Sequence, residues 1–243
     1  MYQPRTYRHW VKGDDLVVCN VVVKETDLYL RATSNLRRKA HRMVLKYRDS
    51  LERYIARHPD FLTSLEPLEV EKDAPKIVRD MAEAARRCGV GPMAAVAGAI
   101  AGFVGGELLE FSPEIIVENG GDIFLKSLRQ RTIGVFAGNS PLTGKLGLQI
   151  EPEDTPLGIC TSSGMVGHSL SFGRADAVIV LADSATLADA AATAIGNRVS
   201  DVADIERGIE LAQSIGRLRG VVIIKDDRLG VWGAVKIVPT QNE

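Results

Sequence analysis

The sequence predicts an α+β protein in which antiparallel sheets pack against helices. Three observations carry that reading. Strand candidates come in hairpins around glycine-bearing turns, rather than alternating with helices as in a doubly wound parallel sheet. A long helix candidate follows the first hairpin, with apolar residues recurring at spacings of three and four. Hydrophobic residues make up 45% of 243, with no repeat and no low-complexity linker, so residues 1–243 read as one domain.

In order along the chain, Leu16–Val23 and Leu28–Ala32 form the first hairpin, turning through Lys24–Asp27. Thr33 or Ser34 is placed to cap a helix to about Arg57, whose Leu36, Ala40, Met43, Val44, Tyr47, Leu51 and Ile55 share one face. His58-Pro59-Asp60 ends it, and Leu62–Val70 reads as a loop with room for a short strand. Asp73 caps a second helix, with Pro75 in its first turn, that turns Ile77, Met81, Ala84, Ala85 and Cys88 inward and stops at Gly89. A third helix, Pro92–Leu109, is rich in alanine and glycine. Each interior glycine costs an isolated helix about 1 kcal/mol relative to alanine, so something must pack close to this backbone, a helix or a ligand.

Strands dominate next: Glu114–Glu118, Ile123–Leu125, Thr132–Phe136 and Leu146–Ile150. Gly158–Thr161 leads into a small-residue loop, Ser162–Gly173, and Ala177–Leu181 is a fully apolar strand. Helices over Leu187–Arg198 and Val202–Ile215 follow, and a hairpin of Val221–Lys225 with Val231–Val238 closes the chain.

Composition excludes several classes of function. With 30 basic and 31 acidic side chains the net charge is -1, so nothing draws the whole chain to nucleic acid or to an anionic membrane. The longest apolar run, Met93–Val104, is too short to span a bilayer, and no secretory leader is visible. Cys19, Cys88 and Cys160 form no C-x-x-C pair, which removes zinc and thioredoxin-like readings and fits free thiols in a reducing compartment. The expectation is a cytoplasmic protein. Charge is locally uneven: Arg31–Arg57 is basic, either a solvated helix face or a docking surface for an acidic partner.

Three constellations can carry chemistry. Asp189 and Thr193 stand one helical turn apart and offer two hard oxygen ligands, suited to magnesium or calcium. The same residues fit a structural reading: Thr186 to Asp189 matches a capping box, and Thr193 can bond back to a carbonyl one turn earlier. Asn119-Gly120-Gly121-Asp122, after Glu118, is a hairpin turn whose glycines also let backbone N–H groups approach a phosphate or a flat ring. Thr161, Ser162, Ser163, Gly164 and His168 place hydroxyls, a glycine and an imidazole in one loop. It could hold an anion with His168 as general base, or be a plain surface loop. Cys160 beside it reads as a buried structural thiol.

In this order the segments resemble the ApbE family, the FAD:protein FMN transferases. The matching stretches are Val117–Ile123, Ser163-Gly164 with Gly167-His168-Ser169, and Ala188-Asp189-Ala190-Ala191-Ala192-Thr193-Ala194 after the strand Ala177–Leu181. The resemblance covers roughly Gly91–Asn197, and its last motif is the most specific. It implies an ApbE-like, T-fold-like α+β fold with Mg2+ and FAD or FMN as cofactors. It implies Asp189 and Thr193 as metal ligands and His168 as a base. Asn119, Gly120, Gly121 and Asp122 would lie by the flavin nucleotide, with Ser162, Ser163 and Gly164 beside it. The chain departs from the family after His168, where Ser169-Leu170-Ser171 replaces an Ile-x-Asp-Pro continuation, and it lacks the family's Lys-Gly pair in Ala94–Gly106. It resembles instead a short prokaryotic branch of the superfamily. Two functions follow. One is Mg-dependent flavin-nucleotide binding or FMN transfer. The other is a non-catalytic small-molecule-binding or accessory role on the same scaffold, in sulfide or homocysteine metabolism. Partners are then a small phosphorylated ligand, with no nucleic acid and no membrane, and glycine-rich packing and strand edges that could support a homodimer.

Overall fold

A computed structural model describes residues 15–163 and 173–240. The expected site residues Gly164 and His168 lie outside the described residues.

The chain opens with β1 (Val17–Val23) and β2 (Thr26–Ala32), paired antiparallel around a turn tighter than expected, with Lys24 at φ 52°. Helix α1 (Arg37–Arg57) follows, then a one-turn α2 (Asp60–Thr63), α3 (Lys76–Cys88), a 3-10 turn at Pro92–Ala95 and α4 (Val96–Leu108). Next come β3 (Ile115–Asn119), β4 (Asp122–Lys126), β5 (Arg131–Gly134), β6 (Leu146–Ile150), β7 (Leu157–Ser162) and β8 (Ala177–Ala182). The chain continues through α5 (Ala185–Gly196), α6 (Ile205–Ser214), β9 (Leu218–Lys225), β10 (Arg228–Gly233) and β11 (Lys236–Pro239).

Eight strands form one antiparallel sheet in the order β1-β2-β3-β4-β7-β8-β9-β10, and β11-β6-β5 form a second. Side chains alternate across the large sheet, as the pleat requires. Val178 and Val180 of β8 join a core under the helices, while Ala177, Ile179 and Leu181 join a second core under the small sheet. The result is three layers: helices, large sheet, small sheet. Among the described residues no single helix is long and apolar enough to cross a membrane.

The α+β reading with antiparallel sheets holds, and the differences are local. Thr33 does not cap α1: its hydroxyl bonds Ser112 Oγ at 3.0 Å, and the N-cap is Leu36 with no side-chain cap. Asp73 likewise gives way to Pro75 as the N-cap of α3. The loop after Asp60 contains a helical turn instead of a strand. The expected last strand splits at Gly233, whose φ of 86° ends β10, so β11 joins the other sheet against β6.

Candidate functional site

Local turn chemistry builds the first half of the site. Asn119 and Asp122 pair at the end of the β3–β4 hairpin, and Gly120 and Gly121 cross it with φ of 69° and 106°. Both values lie where L side chains are strained, so glycine is required by the turn itself. Gly121 N–H donates to Glu118 Oε1 at 2.8 Å, which closes the turn on its own strand.

Packing builds the second half. All twelve residues of α5 are buried. The helix lies so close to its neighbours that a Cβ on Gly98 of α4 would meet the Ala185 carbonyl oxygen at 2.3 Å, and one on Gly158 of β7 would meet Ala185 Cα at 2.4 Å. This answers the question raised by the glycine-rich helix: its close neighbour is another helix. Asp189 then reaches across, and its Oδ2 accepts the Gly98 N–H at 2.8 Å, with a further hydrogen bond from Ala97 N–H. Asp189 therefore fastens the first turn of α4, 91 residues away in sequence, and is not half of a capping box on its own helix, whose N-cap is Ser184. Asn119 joins the two halves, its Nδ2 donating to the Ala97 carbonyl at 3.1 Å.

Asp122 enters the same cluster. Its Oδ1 accepts the Thr161 N–H at 3.3 Å, and its carboxyl group is within hydrogen-bond reach of the Cys160 sulfur, whose S–H donates to the Ala185 carbonyl at 3.2 Å. Burial pushes the Asp122 carboxyl well above its usual range, and the negative charges of Asp189 and Glu118 push it further. Burial likewise raises Asp189, to about 7, against the lowering effect of its two backbone N–H bonds. Among the described residues neither acid forms an ion pair with a lysine or arginine. The thiols respond in kind: burial and the nearby acid charge hold Cys160 protonated, and burial pushes Cys88 up to about 12. All three cysteines are free and buried, as the sequence suggested.

The large sheet divides the expected residues between two compartments. Asn119, Asp122 and Cys160 face the helices, with Asp189 and Thr193 of α5. Thr193 is buried one turn beyond Asp189. The opposite face carries a cavity of about 90 Å3 between the two sheets, lined by Glu118, Gly120, Gly121, Thr161 and Ser163 at its polar end and by isoleucines of both sheets. Ser162 lies in the strand between, paired with Val178 and buried. Tyr29 and Arg31 of β2 also line this cavity, with the Arg31 guanidinium 5.6 Å from the Tyr29 ring centroid. Sequence reasoning counted Arg31 only as the start of the basic segment. The alternation along β2, with Leu28 and Leu30 in the helix-side core, was the signal that put Tyr29 and Arg31 on the cavity face. Among the described residues no group of three histidine, cysteine, aspartate or glutamate side chains forms a metal cluster.

Comparison with known proteins agrees with this architecture. Residues 8–215 match the family model described as AbpE bacteria. The chain belongs to that bacterial AbpE family. Its AbpE-type sequence is 45% identical over 221 residues to a UPF0280 protein of Methanocaldococcus jannaschii, covering 88% of this chain and 90% of that one. It is 46% identical over 198 residues to a UPF0280 protein of Methanocella arvoryzae, covering 80% of each. Among solved structures it resembles the flavin transferase ApbE from Vibrio cholerae, H257G mutant, with a TM-score of 0.55 at 16% identity over 93% of this chain and 97% of that one. The apo flavinyl transferase ApbE of Pseudomonas stutzeri matches with a TM-score of 0.55 at 13% identity, over 93% and 95%. At these identities the structural likeness establishes that the AbpE chain has the ApbE-like fold.

Proposed function

We propose that this protein binds a flavin nucleotide with magnesium, at a site that straddles the large sheet, with Asp189 on its helix face and the Gly120-Gly121 turn at the polar end of the cavity on the other. One observation carries the reading. Two carboxylates, Asp122 and Asp189, are buried near each other, and among the described residues neither pairs with a basic side chain. Burying two like charges together is costly unless a proton or a cation relieves it. The donors are carboxylate and hydroxyl oxygens, which suit a hard divalent ion, and the thiol of Cys160 is held protonated and is no competitor for a soft one. Asp189 and Thr193 would hold the magnesium, with Asp122 adding negative charge. The ion supplies charge neutralisation at a pyrophosphate. Asn119, Gly120, Gly121, Ser162, Ser163 and Gly164 bind and orient the nucleotide, and the inter-sheet cavity receives an apolar ring. Where the protein also transfers FMN, His168 takes the proton from the attacking hydroxyl.

The test is calorimetric titration of the purified chain with FAD, with and without Mg2+, coupled to an assay for released AMP. Saturable binding that requires Mg2+ and is lost in Asp189→Asn is expected. Absence of binding by the folded chain removes the proposal.

A second reading is supported by the bonds that Asp189 makes to α4. A carboxylate used to fasten Gly98 and Ala97 is also what a non-catalytic scaffold needs. In that case ligand binding persists in Asp189→Asn and no AMP appears with any acceptor.

A further inference from the structure

Helix α1, which holds all of the basic segment's cations but Arg31, plays no part in the site above, and its charge is distributed in a way that stability does not explain. Helix α1 carries eight lysines and arginines against two acids, Asp49 and Glu52. Its C-terminal half is neutralised locally: Arg48 pairs with Glu25 and Glu52, Lys24 with Glu52, and Arg53 with Asp49. The N-terminal half is not. Arg37, Arg38, Lys39 and Arg42 enter no ion pair among the described residues, and Lys46 meets only Glu107. Arg37, Arg38 and Lys39 occupy the first turn, which holds no acid and has no side-chain cap. That is the positive end of the helix dipole, where each cation is unfavourable by roughly 0.3–1 kcal/mol.

These charges border a groove of about 260 Å3 between α1 and the end of α4, lined by Lys39, Arg42, Met43, Lys46, Glu107 and Phe111. The Phe111 ring is 42% exposed and lies 3.7 Å beneath the Lys39 ammonium. An apolar floor of Met43 and Phe111 is thus rimmed by cations. The segments outside the described residues hold too few acids to neutralise the rim: residues 1–14 contain Arg5, Arg8 and Lys12 against the single acid Asp14, residues 164–172 contain no acid, and residues 241–243 add only Glu243.

We infer that this groove docks an acidic peptide segment of another protein, one bearing an aromatic or aliphatic side chain for the Met43–Phe111 floor. The rim from Arg37 to Lys46 spans about 15 Å, the length of four or five extended peptide residues. Asp189 acts on Gly98 in the first turn of α4 and the groove takes Glu107 in its last, so the two sites stand about 14 Å apart along the helix.

The probe is a fluorescein-labelled hexapeptide, Glu-Asp-Glu-Phe-Asp-Glu, titrated by polarisation at fixed salt against the full chain. Its partner probe has serine in place of phenylalanine. The double variant Lys39→Glu/Arg42→Glu should weaken binding by about tenfold or more, as the rim cations act together. Phe111→Ala should weaken only the phenylalanine peptide, and Arg53→Glu on the neutralised half should change neither by more than about twofold. The urea midpoint of the double variant should match or exceed that of the parent. Equal losses in Arg53→Glu, indifference to Phe111→Ala, or a lowered midpoint would each overturn the inference. So would stronger competition by duplex DNA, by phosphatidylserine vesicles or by unlabelled copies of the chain than by unlabelled peptide.

Discussion

The two faces of the large sheet enclose opposite kinds of interior. On the helix face, Asp122 and Asp189 are sealed among small residues packed so tightly that Gly98 and Gly158 have no room for a Cβ. On the other face, Arg31 and Glu118 look into a cavity whose walls are isoleucines. One side fixes charge by leaving no space around it, and the other leaves space around charge. Position is therefore the property to expect of the helix face, and accommodation the property to expect of the cavity face.

The largest effect should come from filling the tightest contact. Gly98→Ala drives a Cβ to 2.3 Å from the Ala185 carbonyl oxygen and 2.7 Å from Asp189 Cβ. We expect a loss of about 3 kcal/mol in urea unfolding, the upper end for overpacking where backbone must move. Gly121→Ala, on the cavity face, meets nothing nearer than Thr161 Cβ at 3.9 Å and carries only the strain of a φ of 106°. It should cost about 1 kcal/mol. Equal costs would erase the contrast between the faces.

Next in size is Asp189. Asp189→Ala strips the acceptor from buried N–H groups of α4 and should cost about 2 kcal/mol. Asp189→Asn keeps an acceptor and removes the charge, so it separates fastening from ion binding. The pH response has a defined sign. Unfolded, Asp189 releases its proton near 3.8, while the folded chain holds it to about 7. Between those values the native state binds more protons than the unfolded state, so this group's stability contribution falls as pH rises from about 4 to about 7 and is flat above. Asp189→Asn should flatten that decline in urea midpoint relative to the parent. An unchanged slope would place the charge of Asp189 in contact with water.

The smallest effect is a gain. Gly106 lies near the end of the same helix as Gly98, and a Cβ there would have nothing within 4 Å. Gly106→Ala should stabilise by about 0.5 kcal/mol, because it restricts the unfolded chain without touching the folded one. A loss there would mean that the end of α4 needs glycine for a reason its packing does not supply.

What the sequence made legible was what short-range chemistry decides. The Asn119–Asp122 turn was readable because two positive φ angles leave few residue choices, and α1 because its apolar face recurs with the helical period. The caps assigned to Thr33, Asp73 and Thr186 were not readable, because the partners that win are distant: Thr33 bonds Ser112, and Asp189 serves a helix encoded 91 residues earlier. The run Val231–Val238 looked like one strand because apolar pattern alone does not register the break at Gly233. The cavity was hidden for a related reason. Its walls come from seven strands, β2 to β8, and only the stacking of two sheets brings Arg31 and Val135 into one cavity.

The position of β8 has one more consequence. Its six residues, Ala-Val-Ile-Val-Leu-Ala, contain no charge, proline or glycine and are wholly buried between β7 and β9. Any opening of the sheet bares a segment suited to stacking on copies of itself. Heating the protein should therefore end in precipitate, and an apparent melting point will drift with scan rate.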